Sequence, residues 1–230
     1  MVWVSAGRRS RCDCLLIKLL AITELDILVD HSVNISLAVR VKYLLFLSLL
    51  SFSAYGSGSV VTWGDPAYGG DSSAVASQLS SGVTNIYSNR YAFAALKTDG
   101  SVVTWGDTDS GGDSSSVASE LSNGVSAIFS TSEAFAALKD DGSVITWGNP
   151  AHGGDSTSSN MVDPLTGQSM PPPDLSSGVT NIYSTSKAFA ALKVDGSVVT
   201  WGDMLLGGWS GLVSSDLSSG VSNIYTRYGG

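Results

Sequence analysis

One octapeptide occurs four times along this chain, once in a variant form, and limits its fold more than any other feature. GSVVTWGD at 58–65 recurs at 100–107, as GSVITWGN at 142–149, and again as GSVVTWGD at 196–203. The tryptophans Trp63, Trp105, Trp147 and Trp201 lie 42, 42 and 54 residues apart, so the last interval holds 12 extra residues. A second block precedes three of the four: GVTNIYSNRYAFAALKTDG at 82–100, GVSAIFSTSEAFAALKDDG at 124–142 and GVTNIYSTSKAFAALKVDG at 178–196. A last copy, GVSNIYTRYGG, begins at Gly220. Self-similarity at a fixed period of this length marks a repeat architecture. Each unit is then one supersecondary element that needs its neighbours to bury an apolar face.

Each unit reads as three short strands, exemplified by Val83–Ser88, Ala92–Lys97 and Ser101–Gly106. Asp-Gly pairs at 99–100, 141–142 and 195–196 separate the second strand from the third, and Asp-Gly favours a tight hairpin turn. The Ala-Phe-Ala-Ala-Leu run does not alternate apolar with polar, as expected of a strand covered on both faces. All six prolines fall outside these strands, where they cost no ladder hydrogen bond. After the third strand, Asp71 can cap a helical turn that sets Val75 and Leu79 on one face. Asp113, Val117 and Leu121 repeat the pattern, and Val213 and Leu217 keep its spacing. The extra residues, including MVDPLTGQSMPPP, predict an irregular surface loop near 156–174. The chain has 26 glycines and only 14% charged residues, which also favours a turn-rich β protein. The four motif tryptophans are expected to be buried at equivalent places.

The Ile-centred strand, the Ala-x-Ala-Leu-Lys-x-Asp-Gly turn and the following Ser-Val-x-x-Trp-Gly resemble the regulator-of-chromosome-condensation superfamily. They are most similar to the shorter repeats of its β-lactamase-inhibitor-protein branch. The resemblance covers about 58–230 and implies a β-propeller, usually seven-bladed, with both faces of each blade buried by its neighbours. This chain departs from that pattern in number. Three complete strand triplets occupy 83–106, 125–148 and 179–202, with half-units at Ser59–Gly64 and Val221–Thr226. The expected fold is therefore all-β, a partial, open propeller of tandem 42-residue repeats. It reads as a fragment, an open arc, or a chain that assembles with copies of itself through open edge strands; a closed four-unit ring would need residues 50–57 to supply the missing strand.

The first 57 residues differ in character. They hold six basic and four acidic side chains, against six and sixteen in 58–230. Tyr43–Phe52 reads YLLFLSLLSF, follows Arg40 and Lys42, and leads into Ser53, Ala54, Gly56 and Ser57. That order is the pattern of a secretory signal, too short to span a bilayer. The chain thus divides into an N-terminal extension at 1–40, a signal-like segment at 41–57 and a repeat domain at 58–230. Its expected location is secreted or cell-surface. Cys12, Cys14 and the sequon Asn34-Ile35-Ser36 all precede the repeats, and no disulfide scaffold or zinc cluster is expected.

A net charge of −8, concentrated in the repeats, argues against a nucleic-acid partner. No Ser/His/Asp set or phosphate loop occurs in the repeats, so no catalytic residue and no cofactor is assigned. Asp107, Asp109 and Asp113 form an acidic cluster, but the other units lack an Asp109 equivalent, so no metal is assigned either. The segments Asp65–Asp71, Asp107–Asp113, Asn149–Asp155 and Asp203–Trp209 vary between nearly invariant strands. Loops on a rigid scaffold commonly carry binding. Tyr68, Asp109, His152 and Trp209 are the candidate contact residues, with a neutral or basic protein or glycan surface as partner. Three readings follow: a secreted, non-enzymatic binding scaffold, a truncated copy without independent function, and a sugar-binding or carbohydrate-active propeller.

Overall fold

The computed structural model describes residues 4–6, 58–157, 162, 163, 167 and 169–227. The signal-like segment, Cys12, Cys14 and the Asn34 sequon lie outside the described residues. Two short strands, β1 (Val4–Ala6) and β2 (Ser59–Val61), form an antiparallel pair. Three complete triplets follow. They are β3 (Val83–Ser88), β4 (Ala92–Lys97) and β5 (Val102–Gly106); then β6 (Val125–Ser130), β7 (Ala134–Lys139) and β8 (Val144–Gly148); then β9 (Val179–Ser184), β10 (Ala188–Lys193) and β11 (Val198–Gly202). Each triplet is a separate three-stranded antiparallel sheet with its Ala-Phe-Ala-Ala-Leu-Lys strand in the middle. The architecture is an open array of propeller-type blades.

The hairpins are one residue longer than the Asp-Gly pairs suggest. Lys97 N donates to the Ser101 carbonyl at 2.9 Å, and Gly100 N donates to the Lys97 carbonyl at 3.0 Å. The loop is therefore the three residues 98–100, with Gly100 in the left-handed region at φ 74°. Asp99 holds the Ser101 backbone N–H at 3.0 Å and its hydroxyl at 2.6 Å, and the strand proper begins at Val102.

Burial explains the unalternating middle strand. Phe93 and Ala95 pack with Val103 and Trp105 on Val60, Val75 and Leu79 of the preceding unit. Their neighbours Ala92, Ala94 and Leu96 pack on Val125, Ile128 and Phe135 of the following unit. Successive residues thus serve opposite neighbours, and a polar side chain on either face would be stranded in a core. Backbone bonds tie the units as well: Val125 N donates to the Gly100 carbonyl and Val179 N to the Gly142 carbonyl, both at 3.0 Å. The invariant lysine has a structural task too, since Lys97 Nζ donates to the Gln78 carbonyl and Lys139 Nζ to the Glu120 carbonyl, each at 2.9 Å.

The motif tryptophan latches each unit to the one before it. Trp105 Nε1 donates to the Gly69 carbonyl, Trp147 Nε1 to that of Gly111 and Trp201 Nε1 to that of Gly153, each at 3.1 Å. Each indole stacks on the phenylalanine of its own middle strand, with centroids 5.2–5.3 Å apart. The receiving glycine must lack a side chain. A Cβ on Gly111, at φ 95°, would lie 2.8 Å from a ring carbon of Phe135. The expectation of four buried tryptophans needs one correction. Trp105, Trp147 and Trp201 are buried, but Trp63 is 46% exposed, because no unit precedes β2 among the described residues to supply its glycine.

The helical turns are 3₁₀ turns at Ser73–Val75, Ser115–Val117 and Gly211–Val213, with a second one at Glu120–Ser122 in the middle unit. Asp71 and Asp113, expected to cap these turns, stand one residue before the N-cap positions Ser72 and Ser114, and each accepts the backbone N–H two residues on, at 2.8 Å. Leu79, Leu121 and Leu175 are buried at corresponding places, so the chain returns to the repeat directly after the insert. Within the insert, Val162 and Ser169 form an isolated bridge.

The N-terminal extension, expected to stand outside the repeats, contributes β1. Ser5 lies opposite Val60 and Val4 opposite Val61. Leu96 and Ala95 face Val102 and Val103 in the same register. β1 therefore stands where the middle strand of a first unit would stand.

Candidate functional site

The variable segment after the third strand is a single 3₁₀ turn at Pro66–Tyr68, Pro150–His152 and Met204–Leu206; at Thr108–Gly112 it is a wider turn, where Asp107 accepts the Ser110 backbone N–H at 2.9 Å. Asp65 and Asn149 accept the backbone N–H of Ala67 and Ala151 at 3.0 Å, and Asp203 accepts that of Leu205 at 2.9 Å. A glycine in the left-handed region closes the turn: Gly69 at φ 79°, Gly153 at 91° and Gly207 at 109°. The following glycine sits against the backbone of the strand end, as Gly70 does on Gly64. From below, Asn89 Nδ2 donates to the Ser110 carbonyl at 2.7 Å, and the Thr131 and Thr185 hydroxyls donate to those of His152 and Leu206 at 3.0 Å. The backbone of the turn is thus fixed while its side chains differ.

Successive turns border shared open clefts. One of about 440 Å³ lies between Asp109 and Asp113 on one unit and Asn149 and Pro150 on the next. Another of about 350 Å³ lies between Pro150 and Asp155 on one unit and Asp203 and Met204 on the next. The turns therefore emerge on a common side. The Ser73 backbone N–H holds the Asp71 carboxyl below the usual carboxylate range, and Ser115 does the same for Asp113. Both carboxylates serve the turn that follows.

The four candidate residues fall in three different settings. Tyr68 is 47% exposed, packs on Tyr91 with ring centroids 5.4 Å apart, and borders a cleft of about 620 Å³ with Trp63, Asn89 and Arg90. Asp109 is exposed at the mouth of its cleft. Trp209 is half-buried and occupies the place of Asp71 and Asp113, its indole folded over Gly211. His152, read from the sequence as an exposed tip, is only 8% exposed. Its Nδ1 lies 3.5 Å from Glu133 Oε2, the oxygen that also accepts from Asn149 Nδ2 at 2.7 Å. Variation at this position reflects a change of neighbours rather than release from packing. Asn149 replaces the aspartate of the other units where Glu133 replaces Tyr91 and Lys187, and an amide can donate where a carboxylate would repel.

Sequence reasoning missed Arg90, which is exposed beside Tyr68. The signal was present: Arg90 stands where the other units carry Ser132 and Ser186.

No protein-family model matches the chain, and no curated protein matches it. Solved structures do. Prp20p from Saccharomyces cerevisiae, described with its binding properties to Gsp1p and histones, is 16% identical, over 63% of this chain and 41% of that one, at a TM-score of 0.39. Human WBSCR16 is 19% identical, over 64% of this chain and 43% of that one, also at a TM-score of 0.39. A complex of Kap60 with yeast RCC1 (Prp20) matches at 18% identity over 52% of this chain and 29% of that one, with a TM-score of 0.37. The chain spans less than half the length of each of these proteins. The structures to which it is similar include a member of the superfamily that its repeat motif resembles.

Proposed function

We propose that this chain is a secreted or cell-surface, non-enzymatic scaffold that binds another macromolecule through the turns on one side of its blade array. The observation that carries the reading is a constant backbone frame bearing unlike side chains, with neighbouring turns bordering shared clefts. Rigid scaffolds that present variable loops are where binding surfaces are usually built. Tyr68 and Arg90 form one contact area, Asp109 a second, and Trp209 a third at the far end. His152 is buried and lies outside these areas. The partner is a protein or glycan surface of neutral or basic character, since the repeats carry sixteen acidic and six basic side chains. The chain also associates with itself through its open blade edges.

The test is binding of labelled protein to cells and to glycan and protein arrays. Combined substitution Tyr68→Ala, Asp109→Ala and Trp209→Ala should abolish binding with the thermal midpoint nearly unchanged. Binding that survives all three refutes the proposed side. A reporter fused after residue 57 should be exported, and a reporter that stays inside the cell refutes the location.

A further inference from the structure

Every complete unit has two unlike faces. The rear face, toward the preceding unit, carries the stacked phenylalanine and tryptophan. The forward face carries the small residues of the middle strand and, beyond them, the glycine that receives the next indole. Forward and rear faces meet with the same geometry at each joint inside the chain.

Among the described residues, one face of each kind is exposed. At the N-terminal end, the rear face of the first half-unit shows Val61 at 57% exposure and Trp63 at 46%. At the C-terminal end, Ala190 and Leu192 on the forward face of β10 are partly exposed, although their counterparts Ala94, Leu96, Ala136 and Leu138 are buried. Gly207 has the left-handed backbone of a receiving glycine. Yet a Cβ there would meet nothing closer than the Thr185 methyl at 3.9 Å, where its counterparts meet a phenylalanine ring. Leu205, Leu206, Leu212 and Val213 beside it are exposed.

The backbones are complementary in the same sense. Val221 N already donates to the Gly196 carbonyl at 2.9 Å, the bond that begins a new blade elsewhere in the chain. Residues 221–226 have the sequence of a first strand but form no strand ladder. Among the described residues, β1 and β2 stand in middle-strand and third-strand register without a first strand.

We propose that copies of this chain dock head to tail, the uncovered forward face of one on the uncovered rear face of the next. Trp63 then donates its indole N–H to the Gly207 carbonyl of a second copy. Residues 221–226 of that copy join β1 and β2 to complete a three-stranded blade. The occupant is a second copy because each end presents one half of a joint that the chain itself makes repeatedly from almost identical residues. The two surfaces differ, so the contact is heterologous and builds rings or filaments instead of isologous dimers. This inference rests on the self-association reading above, and its joint takes in Trp63 beside the Tyr68 cleft and the turn that Gly207 closes.

The experiment measures molar mass of the full chain by light scattering over a wide concentration range. Trp63→Asp spoils the rear face and Leu192→Glu the forward face. Both residues are at least partly exposed, and thermal midpoints near that of the wild type verify folding. Wild-type protein should form higher species. Each variant alone should lose them, and an equimolar mixture of the two should recover a 1:1 dimer and nothing larger. A monomeric wild type would overturn self-association and the joint together. Oligomers that survive both substitutions, or a mixture that stays monomeric, would overturn the joint alone.

Discussion

Replacing the motif tryptophans one at a time should divide them into two classes, although their sequence contexts are nearly identical. Trp105 is 5% exposed, stacks on Phe93 and donates to the Gly69 carbonyl across the joint. Trp105→Ala removes a large buried aromatic and leaves a cavity, at a cost of about 3–5 kcal/mol. The ring pair accounts for roughly 0.5–1.5 kcal/mol of that, and the carbonyl left unpaired for about 1–3 kcal/mol. For a domain of this size each kcal/mol moves the thermal midpoint by roughly 2–4 °C, so the midpoint should fall by about 6–20 °C. Trp147→Ala and Trp201→Ala should behave alike. Trp63→Ala should cost no more than about 1 kcal/mol in the monomer, since its ring is half in water and makes no latch. Trp105→Phe keeps most of the apolar surface and loses the donor, so it should fall between these limits. Urea and thermal unfolding of the five variants, in dilute protein to keep chains apart, supplies the values. Equal losses for Trp63→Ala and Trp105→Ala would refute the claim that the joint, and not the sequence motif, holds the energy.

Gly111→Ala forces a Cβ to 2.8 Å from Phe135 at φ 95°, and it should destabilise by at least about 2 kcal/mol in urea unfolding. Gly207→Ala meets only ordinary contacts, the nearest the Thr185 methyl at 3.9 Å, and should cost about 1 kcal/mol from backbone strain. Asn149→Asp places a second carboxylate on Glu133 Oε2, so it should lower the midpoint at neutral pH. Acidification or Glu133→Gln should restore that loss, and a midpoint unmoved at neutral pH would count against the network. The Ser101 and Ser143 hydroxyls hold the Asp99 and Asp141 carboxyls below their ordinary value of 3.8, and the Ser176 hydroxyl, aided by Lys193, holds Asp174 at about 2. A depressed folded value stabilises the fold fully above the unfolded value, and that stabilisation is lost as pH falls through the folded one. Denaturant midpoints should therefore be level above about pH 5 and fall between about pH 4 and pH 2.

The strands were legible in the sequence because the repeat supplies three readings of each boundary. Val83–Ser88 and Ala92–Lys97 have the bounds read from the sequence. The side chains of the variable turns were less legible. Tyr68, Ser110, His152 and Leu206 hold one position, yet Tyr68 and Leu206 are exposed while Ser110 and His152 are buried. Difference between repeats was read as freedom from packing. For His152 it records instead a local exchange with Glu133 and Asn149, partners 19 and 3 residues away that only the fold brings together. Trp63 escaped the pattern for a different reason, because a motif carries no information about whether the unit before it is complete.

The joints described above connect each unit only to its immediate neighbours, and the latch runs in one direction, from indole to preceding glycine. Energies in such an array combine as a chain of nearest-neighbour couplings. Among the described residues, the β6–β8 unit alone has a complete triplet on each side. Amide hydrogen exchange should therefore be slowest in β7 and quicken stepwise toward both ends as outer units open first. A cell that trims such a chain with proteases would meet it as a ladder of successively shorter protected cores rather than as one cooperative block.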